Sequence, residues 1–312
     1  MENLILSLNV VLPLFLMIVL GYGLKVLKIW DTHTINGMNT VVFKVFLPVL
    51  LFINVYQTDI AGVFNLKLML FAIFSVILIF LITWGIICLI EKENPKRGVL
   101  IQAIFRSNFV IFGIPIATSL CGAESTGAAA LLVAVIVPLF NVLAVITLET
   151  FRGSRIHVRK ILRGIVTNPL IIGSLLGLLF LAIGIKLPSA IEKTISDLSK
   201  VTTPLALVIL GASFTFSSVR GNLRNLCIGL LGKLVLAPVI FLPLAIMFDL
   251  KGTSLAILLA IFGSPPAVSS FSMAKQMDGD ADLAGQLVVF GSMFSVLTMF
   301  IWIFILKEGQ FI

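Results

Sequence analysis

Long apolar segments recur along the whole chain and constrain its fold more than any other feature. Their length, about 18 residues or more, is what a helix needs to cross the roughly 30 Å hydrocarbon core of a bilayer. Apolar residues make up 59% of the 312 residues and charged residues only 12%, against about 25% charged in a soluble domain. The sequence therefore predicts a polytopic α-helical membrane protein. It excludes an ordinary cytosolic enzyme, a disordered chain and a nucleic-acid-binding protein.

Hydropathy divides the chain into ten predicted spans joined by short polar loops. Their approximate limits are 4–24, 38–55, 66–90, 99–121, 127–149, 168–184, 200–216, 226–248, 253–276 and 282–306. The first run is expected to stay as a helix, because Met1-Glu2-Asn3 lacks the basic residues of a signal peptide. The three cysteines fall in apolar stretches and imply no disulfide framework.

The distribution of lysine and arginine predicts the orientation of the chain. Thirteen of the 22 basic residues lie in odd-numbered loops, and six lie in even-numbered loops and at the termini. Because basic residues accumulate in loops kept on the cytoplasmic side, odd loops are expected inside and both termini outside. The predicted location is the inner or plasma membrane of the cell.

The second half of the chain repeats features of the first at an offset of 156 residues. The matched pairs include Pro13 with Pro169, Gly21 with Gly177 and Pro48 with Pro204. Two five-helix repeats, 1–150 and 168–312, then flank a basic cytoplasmic loop at 151–167. Since five is an odd number, the second repeat would enter the membrane from the opposite face, as in many secondary transporters. The alternative is chance register in a biased composition.

Two predicted spans contain helix-breaking residues near their centres. The fourth has Phe112-Gly113-Ile114-Pro115, and the ninth has Gly263-Ser264-Pro265-Pro266 followed by Ser269 and Ser270. A broken helix is tolerated in a membrane only inside protein or beside water, and the N-terminus of a half-helix attracts anions. Asn108 would add hydrogen-bonding groups at that depth. The alternative is a pair of proline kinks that allow close packing.

Three basic residues fall inside spans, whereas no acidic residue lies near the centre of one. Lys44 and Lys233 are either functional or snorkelling to the interface, while Arg106 is the stronger candidate to contact a substrate or a lipid phosphate. The lack of a central carboxylate disfavours proton antiport and favours an anionic substrate. The two histidines are in loops, and metalloprotease or P-loop patterns are missing, so no enzymatic activity, metal or cofactor is predicted.

Two segments resemble the auxin efflux carrier family, which includes plant PIN transporters and many bacterial permeases. They are SNFVIFGIPI at 107–116 and SPPAVSSFSMAKQMDGDADLAGQLVVFG at 264–291. The resemblance implies ten helices in two inverted repeats, like sodium/proton antiporters or bile-acid transporters, with helices 4 and 9 broken and crossing. Helices 1, 2, 6 and 7 would form a scaffold and a homodimer interface. Helices 3–5 and 8–10 would form a transport domain that moves like an elevator.

The resemblance also implies the position of the substrate site. Asn108, Gly113 and Pro115 match the first crossing segment, and Pro265 with 268–270 match the second. Against plant members the central loop is very short and Arg106 adds charge, so malate- or malonate-like anions are expected rather than auxin-like acids. The predicted substrate-binding residues are Arg106, Asn108, Gly113, Ile114, Pro115, Ser264, Pro265, Val268, Ser269 and Ser270.

The predicted function is therefore a secondary membrane transporter of small organic anions. A passive anion channel and a sodium-coupled organic-acid symporter of the same fold are the alternatives. The expected partners are the anion, the lipid bilayer and a second copy of the chain, with no nucleic acid.

Overall fold

A computed structural model of the chain describes residues 2–58, 65–122, 125–153 and 158–312. These residues form helices and connecting turns, without a strand. The helices are α1 (Glu2–Val26), α2 (Thr32–Val41), α3 (Leu47–Tyr56), α4 (Leu66–Ile90), α5 (Asn94–Phe105), α6 (Phe109–Cys121), α7 (Ser125–Thr150), α8 (Val158–Val166), α9 (Pro169–Ile183), α10 (Ser189–Ser213), α11 (Phe216–Leu231), α12 (Ala237–Met247), α13 (Thr253–Gly263), α14 (Ser269–Gln276) and α15 (Ala281–Glu308).

Two π-helical turns join helices that continue in one direction. Val42–Phe46 connects α2 to α3, and Gly232–Leu236 connects α11 to α12. Such π-turns are frequent at functional sites. Each contains one of the lysines that the sequence places inside a span, Lys44 or Lys233.

Six of the described helical segments are long and apolar enough to cross a membrane, or up to seven if one bent pair counts as a span. The six are Thr32–Tyr56, Leu66–Ile90, Gly127–Thr150, Ser189–Ser213, Phe216–Met247 and Ala281–Glu308. The integral-membrane prediction is thus confirmed. Shorter apolar helices cover Leu12–Val26, Pro169–Ile183 and Thr253–Gly263, where three more spans were predicted. The ten-span arrangement stays a prediction.

Two helix pairs approach so closely that only glycine fits at the crossing. A side chain at Gly21 of α1 would clash with the carbonyl oxygen of Val208 on α10. On the other pair, a Cβ at Gly177 of α9 would lie 2.7 Å from the carbonyl oxygen of Phe52 on α3. Small residues at such crossings let backbones pack tightly where lipid provides no hydrophobic driving force.

The interrupted helices lie in the centre of the fold. Every residue from Gly98 to Phe105 of α5 and from Leu255 to Gly263 of α13 is buried. α13 packs on α6 and α12, while α5 packs on α4 and α7. Burial inside protein is what allows backbone breaks at membrane depth.

The segment predicted as a basic loop at 151–167 contains a short helix, α8, which packs against α7 and α9. Residues 154–157 of that segment lie outside the described residues. At Gly164 the helix comes close to α7, since a Cβ there would lie 2.6 Å from the carboxyl carbon of Glu149.

Candidate anion site where two broken helices cross

The two interruptions meet through a direct backbone hydrogen bond. After α5 ends at Phe105, Arg106 and Asn108 leave the helical conformation, with ψ values of 135° and 51°. After α13 ends at Gly263, Ser264 adopts an extended conformation with ψ of 151°. The N–H of Asn108 donates to the carbonyl of Pro265 over 2.8 Å. The segment that follows α13 thus supplies a hydrogen-bond acceptor for the backbone N–H at the break before α6.

Two consecutive prolines explain why α13 stops. In an α-helix the carbonyls of Ile261 and Phe262 would accept from residues 265 and 266, but Pro265 and Pro266 have no N–H. The ammonium of Lys233 supplies a replacement, since its Nζ donates to the Ile261 carbonyl over 3.3 Å. The Lys233 side chain is 0% exposed. Of the two alternatives for this lysine, snorkelling to the interface is therefore wrong.

The fourth predicted span is interrupted at two places, one of which the sequence predicted. Phe112, Gly113, Ile114 and Pro115 belong to α6, and the interruption predicted there is present as a sharp bend of that helix. Pro115 removes one helical hydrogen bond, which bends a helix but need not end it. The axes of Asn94–Phe112 and Pro115–Cys121 differ by 60°. The second interruption comprises residues 106–108 between α5 and α6, where the Asn108 N–H bonds to the Pro265 carbonyl.

Arg106 places a buried guanidinium beside the crossing. Its side chain is 3% exposed and bonds to neutral groups only. Nη2 donates to Asn141 Oδ1 at 2.6 Å and to Ser269 Oγ at 2.7 Å, and Nη1 donates to Met273 Sδ at 2.6 Å. Among the described residues no carboxylate lies within ion-pairing distance of Arg106. A buried charge without a counter-ion is costly, so this position favours an anion.

Arg106 opens onto a cavity of about 80 Å³, here called the central cavity. Its polar lining residues are Asn54, Arg106, Ser107, Asn108, Thr202, Thr203 and Ser269. Its apolar lining comes mainly from α3, α6, α7 and α10, and includes Leu47, Leu51, Phe109, Val137, Phe140, Ala206 and Val268. An apolar pocket with a few convergent polar groups is the usual form of a small-molecule site.

Several buried polar atoms at the crossing have no hydrogen-bond partner within the described part of the chain. They are Ser107 Oγ, Asn108 Nδ2, Ser264 Oγ, Ser270 Oγ and Ser272 Oγ. Buried polar groups in native proteins are nearly always hydrogen-bonded, and leaving one unsatisfied costs about 1–3 kcal/mol. Such a cluster beside a cavity is typical of a site that binds a polar ligand.

The structure brings some of the predicted site residues together and separates others. Arg106, Asn108, Val268 and Ser269 line the central cavity. Ser264, Pro265 and Ser270 are buried at the crossing beside it, with Pro265 contributing its carbonyl. Pro115 is exposed on α6, away from the cavity lining. Gly113 and Ile114 belong to the same helix, and their side chains lie outside the described residues.

Other helices contribute polar residues to the site that the sequence motifs did not predict. Asn54 on α3 and Thr202 and Thr203 on α10 line the cavity, and Asn141 on α7 holds Arg106. Each is an uncharged polar residue inside an apolar run, and this signal could have identified them. Among the described residues, no group of three His, Cys, Asp or Glu side chains could hold a metal ion.

The chain is similar to known transport proteins over nearly its whole length. The sequence profile of the membrane transport protein family matches residues 6–303. An uncharacterized transporter of Methanocaldococcus jannaschii is 25% identical over 310 residues, which cover 96% of this chain and 98% of that protein. A second uncharacterized transporter, from Methanothermobacter thermautotrophicus, is 24% identical over 304 residues, which cover 95% of this chain and 97% of the relative.

Proposed function

The chain belongs to the membrane transport protein family, and from that premise we propose that it is a secondary carrier of small organic anions. This match confirms the resemblance to auxin efflux carriers. The carrier proposed here has ten spans in two inverted repeats and works by alternating access. Malate- or malonate-like carboxylates are its proposed substrates, ahead of auxin-like acids.

The observation that carries this proposal is the buried guanidinium of Arg106. It faces the central cavity without a carboxylate partner among the described residues. A substrate carboxylate would neutralise this charge and could form two parallel hydrogen bonds with the planar guanidinium. The N-terminus of α14, which begins at Ser269, adds partial positive charge on the same side of the cavity.

The volume of the cavity supports a small substrate. About 80 Å³ is well below the roughly 300–1,000 Å³ of sites for drug-sized ligands. A dicarboxylate of a few carbon atoms suits such a space better than an acid with an indole ring. Ser107, Asn108 and Ser270 would supply hydrogen bonds from polar atoms that lack a partner within the described residues.

The inverted repeat draws support from the two glycine crossings. Gly21 faces the carbonyl of Val208, and Gly177 faces that of Phe52. Adding 156 to Gly21 gives Gly177, and adding 156 to Phe52 gives Val208. The same close contact therefore occurs twice at the sequence offset of the repeat. Paired contacts of this kind are what an internal repeat predicts, and they support the repeat over chance register.

The proposed mechanism divides the helices into two units. The scaffold unit comprises α1–α3, α9 and α10, and the transport unit comprises α4–α7 and α11–α15. Residues of both units line the central cavity. A displacement of one unit against the other would therefore carry a bound anion across the membrane. A homodimer through the scaffold, in the inner or plasma membrane with both termini outside the cytoplasm, completes the proposal.

Counterflow in proteoliposomes tests the function and its alternatives. Vesicles loaded with unlabelled malonate should accumulate external radiolabelled malonate with saturable kinetics, without an imposed sodium gradient. Conductance that does not saturate would identify a passive anion channel. A strict requirement for sodium would identify a sodium-coupled symporter. Repeating the assay with malate and an auxin-like acid ranks the proposed substrates.

A further inference from the structure

A second and larger cavity lies at the end of the molecule that carries the basic 151–167 segment. It has a volume of about 780 Å³ and is here called the basic vestibule. Its charged lining residues are Lys44, Glu149, Arg152, Arg163 and Asp278. Residues of both proposed units line it, together with α8.

Two of the three vestibule cations form no ion pair with a described residue. Arg152 bonds to Asp278 through Nε at 2.8 Å and to Glu149 through Nη1 at 3.3 Å. The hydrogen bond that Arg152 donates to Asp278 raises the pKa of Arg152 above its ordinary value. Arg152 is shared between both vestibule carboxylates, so the charged lining sums to one net positive charge. Lys44 and Arg163 are exposed, and neither forms an ion pair with a described residue. The vestibule therefore has two cations without an ion pair in the described part of the chain and a net charge of one positive.

The same helices line the basic vestibule and the central cavity in succession. Lys44 lies in the vestibule and Leu51, seven residues later on the same continuous helix, lies in the central cavity. On α14, Ser269 lines the central cavity and Gln276, again seven residues away, lines the vestibule. Seven residues are two helical turns, so each pair shares one helix face and is separated by about 10 Å along the axis.

A third helix, α7, also lines the central cavity and then the vestibule along its length. On α7, Val137 and Phe140 line the central cavity, whereas Glu149 near its end and Arg152 just after it line the vestibule. Three helices thus lead from one cavity towards the other. The vestibule thus lies along the same helix faces as the central cavity, on the side of the basic 151–167 segment.

We propose that Lys44 and Arg163 form a second, weaker anion site that captures the transported anion in the vestibule. The role in transport rests on the proposed function, whereas the anion site itself does not. A cleft with an excess of one sign of charge concentrates ions of the opposite sign and speeds their association. The ligand class is a small carboxylate or a comparable free oxyanion.

Charge-selective labelling of a cysteine tests the site without relying on transport. The probe is Thr167→Cys, because Thr167 is exposed and lines the vestibule. The background carries Cys88→Ser, Cys121→Ser and Cys227→Ser, which removes the native cysteines. In neutral phosphatidylcholine vesicles, the labelling rate of an anionic thiosulfonate is divided by that of its cationic analogue. Malonate and inorganic phosphate are then added as competitors.

A matched pair of double variants isolates the two cations. Lys44→Gln with Arg163→Gln should lower the anionic-to-cationic rate ratio at least roughly fivefold at low salt. Lys92→Gln with Arg220→Gln removes the same charge from exposed positions outside the vestibule lining and should leave the ratio unchanged. Malonate and phosphate should slow the anionic reagent only while Lys44 and Arg163 are present. Equal ratios in the two double variants, or no effect of either competitor, would overturn the proposal.

Vesicles with phosphatidylglycerol distinguish the source of the anion. If this lipid alone protects the probe and malonate and phosphate do not, the site belongs to a lipid headgroup and the capture proposal is wrong. In the transport assay, Lys44→Gln with Arg163→Gln should raise the KM for malonate several-fold at this face and keep the maximal rate within about twofold. An unchanged KM would overturn the capture role. A wild-type protein that labels as expected but transports no malonate would instead contradict the proposed substrate.

Discussion

The N–H of Asn108 donates a 2.8 Å hydrogen bond to the carbonyl of Pro265, and this bond joins the two broken helices at their interruptions. Backbone groups without partners are not tolerated in contact with lipid. The two breaks can therefore exist at this depth because they lie against each other inside the protein. The same contact leaves Arg106 and Ser269 facing one cavity. The proposed anion site and the crossing are thus parts of one arrangement.

Arg106→Gln should abolish malonate counterflow without unfolding the protein. The substitution removes a buried charge that has only neutral partners among the described residues, so thermal stability should stay constant or rise. Arg106→Lys keeps the charge but loses the planar fork of donors, and should raise KM at least roughly tenfold. Arg220→Gln, at an exposed position, is the control. Wild-type counterflow in Arg106→Gln would remove this residue from the site.

Lys233→Met should lower the melting temperature, because the Ile261 carbonyl then has no donor while Pro265 still lacks an N–H. An unsatisfied buried acceptor costs about 1–3 kcal/mol. Adding Pro265→Ala supplies an N–H at the position that serves Ile261 in a helix, and should recover part of the loss. Adding Pro266→Ala, which supplies an N–H for Phe262 instead, should recover none. Equal recovery by both second substitutions would show that Lys233 does not act through the Ile261 carbonyl.

Cross-linking Thr40 to Gln276 should stop transport reversibly. Gln276 Nε2 on α14 donates to Thr40 Oγ1 on α2 over 2.8 Å, and this bond joins the two proposed units. In the cysteine-free background, mercuric ion should cross-link Thr40→Cys with Gln276→Cys and block counterflow until thiol is added. The control is Ser218→Cys with Gln286→Cys, because these residues bond over 2.9 Å within the transport unit. Full transport by the cross-linked Thr40 and Gln276 pair would contradict movement between the units.

Glu91 should stabilise the fold at neutral pH and lose this effect in acid. Burial raises the pKa of its carboxyl, but hydrogen bonds from the Glu93 N–H, the Asn225 amide and the Lys92 N–H bring the pKa below its ordinary value. A depressed pKa in the folded state gives stability that is present above about pH 4.3 and disappears as the pH falls through the folded-state pKa.

Glu91→Gln should therefore lower the melting temperature at about pH 7.5, and the difference from wild type should shrink progressively as the pH falls below about 4.3. The control is Glu308→Gln at an exposed position near the C-terminus, which should change neither value. A difference for Glu91→Gln that is the same at both pH values would contradict a role for the Glu91 charge.

The sequence could predict the features that local chemistry dictates. Pro265 and Pro266 remove consecutive backbone donors, so the end of α13 at Gly263 is nearly determined by the residues themselves. Residues 106–108 contain neither proline nor glycine, and their non-helical conformation depends on the Pro265 carbonyl of a distant helix. That break could not be read from its own segment.

Tertiary packing likewise determines how deeply the two lysines are buried and which residues line the central cavity. Lys44 and Lys233 look alike in the sequence, since each lies inside a predicted span. The structure exposes Lys44 to the vestibule and buries Lys233 against a carbonyl. Asn54, Thr202 and Thr203 join the site because α3 and α10 pass beside the crossing.

The most direct test of an anion site at the crossing is a thermal-shift screen of small carboxylates on the purified protein and on Arg106→Gln. The carboxylate that binds should raise the melting temperature of the wild-type protein in a saturable manner, and should leave that of Arg106→Gln unchanged. Arg220→Gln should respond like wild type. A full shift in Arg106→Gln would contradict the central claim, and so would the absence of any shift in wild type.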